Sequence, residues 1–250
     1  MKSASEIRIL RQGGRRLSII LNKIAKAVKP GISTDELDKL AFNLVNQYGG
    51  KPSFLNYRPE FADKPFPKSL CVSINETIVH GIPSKKIILK QGDIVSFDLG
   101  MEYRGFFSDM AITVGVGKIK PECRKLIKIT REALKRAIQA SKIGNTLGDV
   151  GYAIQSYVEK NGFAVIKDLV GHGVGYSPHE EPAVFNFGEP GQGLKLEEGL
   201  VIAIEPMVTF KSGEVKEKKD GSFITANREV SCHFEHTIAI TKKGPIILTK

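Results

Sequence analysis

No run of the 250 residues approaches the roughly 20 consecutive apolar positions needed to cross a membrane. Lys2, Glu6, Arg8 and Arg11 stand where a signal peptide needs an apolar core. A cytoplasmic protein without membrane attachment is therefore predicted. Cysteine is scarce: Cys71, Cys123 and Cys232 are odd in number and form no CxxC pair. That excludes a disulfide framework and a zinc knuckle, and predicts reduced, mostly buried thiols. No Gly/Ser/Pro-rich linker divides the chain, so 1–250 reads as a single domain. Acidic residues are outnumbered, 27 against 37 Lys and Arg, for a net charge of +10. Such an excess favours a polyanion, but the lysines are dispersed, with local clusters only at Lys85-Lys86, Lys118 to Lys128 and Lys211 to Lys219. A solvated basic surface explains this charge, and a weak attraction to ribosomal RNA explains it equally well.

What the chain does contain is repetition. Leu89-Lys90-Gln91-Gly92-Asp93-Ile94-Val95-Ser96-Phe97-Asp98 and Leu196-Glu197-Glu198-Gly199-Leu200-Val201-Ile202-Ala203-Ile204-Glu205 read as copies, each an apolar run ending in a carboxylate. Upstream, Lys29, Gly31, Ser33, Glu36, Leu37, Val45 and Gly49 recur 113 positions later as Lys142, Gly144, Thr146, Asp149, Val150, Val158 and Gly162, while the strand copies lie 107 apart. A shared helix start, with Ser33 or Thr34 as cap, would explain the upstream match alone. It would not explain the strands, so a duplicated helix-then-strand unit is expected, with halves of about 1–117 and 118–250.

Apolar residues at helical spacing mark residues 5–28, ended by Pro30-Gly31, and 35–48. The Pro- and aromatic-rich stretch 51–68 reads as a surface loop. Strands are expected at 70–75, 93–99, 104–108 and 110–116, helices at 121–141 and 147–161, and strands again at 164–170, 200–206, 222–226 and 233–241. Long helices alternating with groups of strands predict an α+β domain.

Acids at the ends of apolar runs are costly to bury unless something neutralises them. If Glu102-Tyr103-Arg104-Gly105 makes a hairpin turn centred between Tyr103 and Arg104, Asp98 lies directly across from Asp109. Two like charges so placed repel unless a cation lies between them. His172 is flanked by Gly171 and Gly173, which permit close backbone approach, and His179-Glu180-Glu181-Pro182 follows at a spacing unlike the helical HExxH motif. Both histidines are therefore expected on a loop. Glu205-Pro206 closes one apolar strand and Glu235-His236 interrupts another, without Lys or Arg beside either glutamate. Four carboxylates and one imidazole ask for two divalent cations, and one nitrogen with several oxygen donors suits Mn²⁺, Fe²⁺, Co²⁺ or Zn²⁺ in an open site. Two such ions close together make a hydrolase arrangement.

The set Asp98, Asp109, His172, Glu205 and Glu235 resembles the dinuclear metal site of the methionine aminopeptidase and proline-peptidase superfamily. Its duplicated pita-bread fold would account for the internal pseudo-twofold repeat. Within it, Asn75-Glu76-Thr77-Ile78-Val79-His80-Gly81-Ile82-Pro83, Ile204-Glu205-Pro206-Met207 and Phe234-Glu235-His236-Thr237-Ile238 are similar to type I methionine aminopeptidases, as is the stretch from Ser5 to Leu37. The resemblance covers essentially the whole chain. It implies a metal-dependent aminopeptidase, active on nascent chains whose second residue is small, using two ions of Co²⁺, Mn²⁺, Fe²⁺ or Zn²⁺. It implies Glu205 as general base, His179 as donor to the oxyanion, His80 as a contact to the substrate amide, and Cys71 and Phe66 in the methionine pocket. A monomer acting on nascent polypeptide N-termini is expected, with any ribosome docking through its own basic surface.

The wording departs from the family at Asp98-Leu99-Gly100 and Ser108-Asp109, which is nearer the Xaa-Pro peptidases, at Tyr176-Ser177-Pro178, and at residues 59–65, which read as an insertion. Tryptophan, common at that pocket's edge, is absent. An Xaa-Pro aminopeptidase or proline dipeptidase is the alternative reading. A catalytically silent pita-bread protein that binds peptide or RNA is a third, disfavoured because all five ligands are present. Lys2 is too long for the pocket such enzymes use after methionine, so Met1 is expected to be retained.

Overall fold

The computed structural model describes residues 1–58 and 63–250; positions 59–62 of the segment read as an insertion lie outside the described residues. The first half runs through α1 (Ala4–Ala27), α2 (Thr34–Gln47), β1 (Lys51–Pro52), β2 (Cys71–Ile74), β3 (Thr77–Val79), β4 (Ile94–Tyr103) and β5 (Phe106–Gly115). The second runs through α3 (Pro121–Ala140), α4 (Leu147–Lys160), β6 (Ala164–Val165), β7 (Gly171–Gly173), β8 (Glu180–Val184) and β9 (Val201–Ile204). It ends with β10 (Met207–Thr209), β11 (Val215–Glu217), β12 (Phe223–Thr225), β13 (Ser231–His233), β14 (His236–Thr241) and β15 (Gly244–Ile247). The α+β expectation is met.

Helix α1 begins where Ser3 and Glu6 form a reciprocal capping box that satisfies two otherwise orphaned amides. Its Leu10, Leu17, Ile20, Leu21 and Ile24 make one fully buried stripe. The last four pack with α2 and with Phe97, Leu99 and Met101 of β4 into one core. A second core joins α3 and α4 to Ile202, Ile204, Ile238 and Ile240 of β9 and β14. Full burial of each such side chain contributes about 1.5–3 kcal/mol. Each half thus covers its own sheet with a pair of helices.

Local details repeat between the halves. Ser33 caps α2 in a box with Glu36, and Thr146 caps α4 in a box with Asp149. Ser33 bridges to Ile88 and Thr146 to Lys195, each antiparallel. Leu89 N–H donates to Ile32 O, and Leu196 N–H to Asn145 O, both at 2.9 Å. The positions matched at the two sequence offsets therefore occupy the same places in two similar units. Of the two candidate caps for α2, Ser33 is the one used.

The β4–β5 hairpin corrects the expected register. Arg104 and Gly105, both at positive φ, form a two-residue turn of the kind that matches strand twist. Tyr103 pairs with Phe106, Gly100 with Asp109 and Asp98 with Ala111. The two aspartates are diagonal neighbours on one face rather than directly opposed. The expected break between 104–108 and 110–116 is also absent, because ten consecutive pairs with β4 carry β5 straight through Asp109.

Other differences follow from sheet switching. β9 and β14 pair in the five-stranded sheet β15-β14-β9-β7-β8, whereas β10 and β13 pair in the separate sheet β13-β10-β6. The expected strands 200–206 and 233–241 are therefore each split. Ile204 pairs with His236 on one side of the break and Met207 with His233 on the other. Glu205-Pro206 and Phe234-Glu235 face each other across this gap, where proline cannot donate to a ladder. The 164–170 strand shrinks to Ala164–Val165, and β3, β7, β8 and β15 are too short or irregular for alternation to reveal.

Candidate metal centre

Strand β4 delivers Asp98 and β5 delivers Asp109, which is buried to 3% exposure. Two threonines fix the strands of the two halves together. Thr237 Oγ1 accepts from Asp109 N–H at 2.9 Å and donates to Asp109 O at 2.7 Å. Thr113 Oγ1 accepts from His233 N–H at 3.1 Å and donates to His233 O at 2.6 Å. This reciprocal pattern is what a local twofold between β5 and the β13–β14 stretch produces. Glu235 N–H donates to Ala111 O at 2.9 Å, so the interrupted strand is sewn to β5 at the point where its acid turns inward.

His172 lies in β7, a three-residue strand, where a loop was expected; His179 stands in the loop just before β8. A Cβ on Gly171 would come 2.4 Å from Ala203 O, and one on Gly173 2.2 Å from Glu181 O. Glycine on both sides is what lets β7 lie tightly between β8 and β9 and bring His172 Nε2 to 3.6 Å from Glu205 Oε1. His172 Nδ1 is 2.8 Å from Gly173 O, which makes it the protonated nitrogen and leaves Nε2 as a donor to a cation.

The five sequence-predicted ligands converge. One donor atom each from Asp109, His172 and Glu235 lies within 4.8 Å of the other two. Asp98 is hydrogen-bonded to Asp109, and Glu205 adjoins His172. Asp98 Oδ1 and Glu235 Oε1 are buried with no hydrogen-bond partner. Burial, reinforced by the neighbouring carboxylates, holds Asp98 and Glu235 well above the usual carboxylate range. Burial lifts Asp109 to about 7, with Glu205 adding to the rise. Burial also lifts Glu205 to about 7, against the pull of His172. Four carboxylates cannot all ionise in so dry a space without compensating charge. Orphaned oxygens, mutual repulsion and one free imidazole nitrogen together fit hard or borderline divalent cations.

Three neighbours join the site that no motif in the sequence marks as functional. His233 is 1% exposed, with Nε2 3.4 Å from Glu205 Oε2, and neither ring nitrogen has a hydrogen-bond partner. Tyr57 stacks on His179 at 5.4 Å between ring centroids, its hydroxyl 3.3 Å from Nδ1. Thr237 is the third. His179 in turn packs 4.4 Å from the His172 ring. Burial lowers His179 to about 3 and His80 to about 4, so both are neutral at pH 7. His80 is edge-on to Phe223 at 5.6 Å. Cys71 lies directly across from Asp98 in the β2–β4 ladder, and Phe66 is half-buried in the loop that its backbone closes against Asn56 and Tyr57. All three cysteines are free and buried, as expected from their number and spacing.

A family model described as metallopeptidase family M24 matches residues 8–242. The chain is 46% identical over 250 residues to a methionine aminopeptidase of Clostridium perfringens, covering 100% of this chain and 98% of that protein. It is 42% identical to methionine aminopeptidase 1 of Bacillus subtilis, with the same coverage. The crystal structure of methionine aminopeptidase from Thermotoga maritima superposes with a TM-score of 0.93 at 40% identity, covering 100% of this chain and 98% of that one. The prolidase from Pyrococcus furiosus superposes with a TM-score of 0.78 at 25% identity, and the match spans 65% of its length.

Proposed function

The chain belongs to metallopeptidase family M24, and from that membership we infer a metal-dependent aminopeptidase that removes the initiator methionine from nascent protein N-termini. Its fold is the pita-bread fold shared by methionine aminopeptidases and prolidases. The observation that carries the activity is likeness to methionine aminopeptidases along the whole chain. The prolidase match is weaker in both identity and coverage.

Asp98, Asp109, His172, Glu205 and Glu235 would hold two ions drawn from Co²⁺, Mn²⁺, Fe²⁺ or Zn²⁺, with availability deciding among them. Bound there, divalent ions supply Lewis acidity that makes water nucleophilic near neutral pH and an anchor for the substrate's free amine. Glu205 is the general base: a carboxylate held beside the ions would be positioned to take a proton from the water they activate. His179 is the oxyanion donor. The ring is neutral, and in the tautomer that accepts from the Tyr57 hydroxyl at Nδ1 the proton on Nε2 can stabilise developing negative charge. His80, also neutral, orients the substrate amide beside Phe223. Cys71 and Phe66 line the methionine pocket; burial raises the Cys71 pKa, and nearby carboxylates raise it further, so it serves as an uncharged wall.

We further propose one catalytic domain of two duplicated halves, about 1–117 and 118–250, working as a cytoplasmic monomer. No helix among the described residues is long and apolar enough to cross a membrane. Weak ribosome association would use the exposed lysines at 85–86, 118–128 and 211–219. The test is turnover of Met-Gly-Met-Met against Ala-Pro-Ala by metal-stripped protein after separate addition of Mn²⁺, Co²⁺ or Fe²⁺. Methionine release from the first peptide alone is expected, and cleavage of the second alone would transfer the assignment to the proline peptidases.

A further inference from the structure

Lys2 is a charged residue at only 8% exposure, and the mechanism gives it no task. Its ammonium ends 2.5 Å from Glu180 Oε2 and lies 4.6 Å from the Tyr176 ring centroid. Its backbone N–H donates to Gly199 O at 2.7 Å, fastening the segment to the turn that precedes β9. Two glycines leave room for it: a Cβ on Gly175 would stand 2.5 Å from Lys2 Cε, and one on Gly199 2.6 Å from Lys2 O. Burying an ammonium is costly unless a partner is fixed in place, so what Glu180 does matters.

Glu180 follows His179 directly. While Oε2 takes Lys2, Oε1 accepts from the Ser177 N–H at 3.0 Å and from the Tyr176 N–H. Ser177 Oγ donates to His179 O at 2.6 Å, and Tyr176 OH donates to Glu6 Oε1 at 2.9 Å. The carboxylate thus closes residues 176–180 into a ring with His179 inside it, and the ring is tied to the start of α1. Burial alone would raise the Glu180 pKa, but Lys2 and the two amides outweigh it and keep the group charged.

We propose that Lys2 is a positioning residue for His179, its ammonium holding the Glu180 carboxylate that shapes the turn presenting the imidazole. This rests on the reading of His179 as the oxyanion donor. Lys2 touches neither substrate nor metal. It acts through Glu180, and without it the carboxylate would hold two amides with no counter-charge and pull toward water, carrying His179 with it.

The test uses metal-loaded enzyme and Met-Gly-Met-Met. Lys2→Met keeps the length and apolar stem but removes the charge. It is expected to lower kcat about tenfold or more with KM changed less than about threefold and bound metal unchanged, since misplacing a catalytic group by about 1 Å costs up to about 100-fold. Lys2→Met combined with Glu180→Gln removes the uncompensated charge while the amide oxygen still accepts from the loop, so it should recover at least about threefold of the lost kcat. Should Lys2→Met fail to fold, Lys2→Leu, which likewise has no donor for Glu180, carries the same comparison. A single variant with kcat within about twofold of the parent, or a double variant no better than the single one, would overturn the proposal. His179→Ala separates the two layers. Unchanged kcat there would overturn the oxyanion assignment itself, whereas a large loss with Lys2→Met unaffected would overturn the positioning role alone.

Discussion

Stripping the metal should make this protein less stable as pH rises through neutrality. Burial raises Asp109 and Glu205 to about 7, and Asp98 and Glu235 well above the usual range. In the unfolded chain all four titrate near 4. A carboxyl whose folded pKa is raised binds more protons in the native state than in the unfolded state across the gap, so its contribution is present below the gap and lost as pH climbs. Below pH 6.5 an opposing set intervenes: burial lowers His80, His233 and His236 to about 4 and His179 to about 3, which costs stability as pH falls. At pH 6.5 those imidazoles are still about half protonated in the unfolded chain, so raising the pH to 8 returns about 0.4 kcal/mol for each, while the unfolded thiols, about a quarter ionised at pH 8, take back about 0.2 kcal/mol each. Across the window from about pH 6.5 to 8 the four imidazoles and the three thiols together offset the site carboxylates by only about 1 kcal/mol. Across it a group at 7 loses about 0.8 kcal/mol and one far above loses up to about 2 kcal/mol. The four titrate as a coupled set, so about 6 kcal/mol is an upper bound on their loss and about 2 a reasonable floor, leaving a net decline of about 1–5 kcal/mol. Urea unfolding of chelator-treated protein should show a midpoint roughly 1 M lower at pH 8 than at pH 6.5. Saturating Mn²⁺ should abolish the decline, because the cation binds the deprotonated donors. Stripped protein that is equally or more stable at pH 8 would refute the reasoning.

Asp98→Asn removes one of the repelling acids, so the stripped variant should exceed the stripped parent by about 1–2 kcal/mol at pH 8, while elemental analysis finds less metal per chain. In Gly171→Ala the new methyl would lie 2.4 Å from Ala203 O and 3.3 Å from Glu205 Cγ, prising β7 from β9. A loss of about 1–3 kcal/mol is expected, with calorimetry reporting metal affinity at least tenfold weaker. Tyr57→Phe keeps the stack on His179 and deletes one hydrogen bond of about 1 kcal/mol; kcat should fall about fivefold with KM little changed, and an unaltered kcat would remove Tyr57 from the tautomer argument. Phe97→Ala empties a fully buried position in the first core and should cost about 3–5 kcal/mol by denaturant titration, leaving metal stoichiometry intact.

The helices were legible because their causes are local. Leu17, Ile20, Leu21 and Ile24 keep helical spacing, and Ser33 with Glu36 and Thr146 with Asp149 announce their starts within four residues. The repeat was legible because both copies kept the same turn and cap chemistry, down to positive-φ glycines at 31 and 144 and at 92 and 199. Acids ending apolar runs named Asp98, Asp109, Glu205 and Glu235, since no isolated strand accommodates such a charge cheaply. The hairpin register was not legible: only pairing across the sheet decides that Gly100 rather than Asp98 stands opposite Asp109. Nor was the partner exchange that splits two apolar runs at Glu205-Pro206 and Phe234-Glu235 and turns both acids inward. His233, Tyr57 and the burial of Lys2 against Glu180 likewise depend on segments 28 to 178 positions apart. A sequence records what each residue prefers among its near neighbours, whereas the contacts that assemble this site are made between chain segments whose meeting only the packed fold determines.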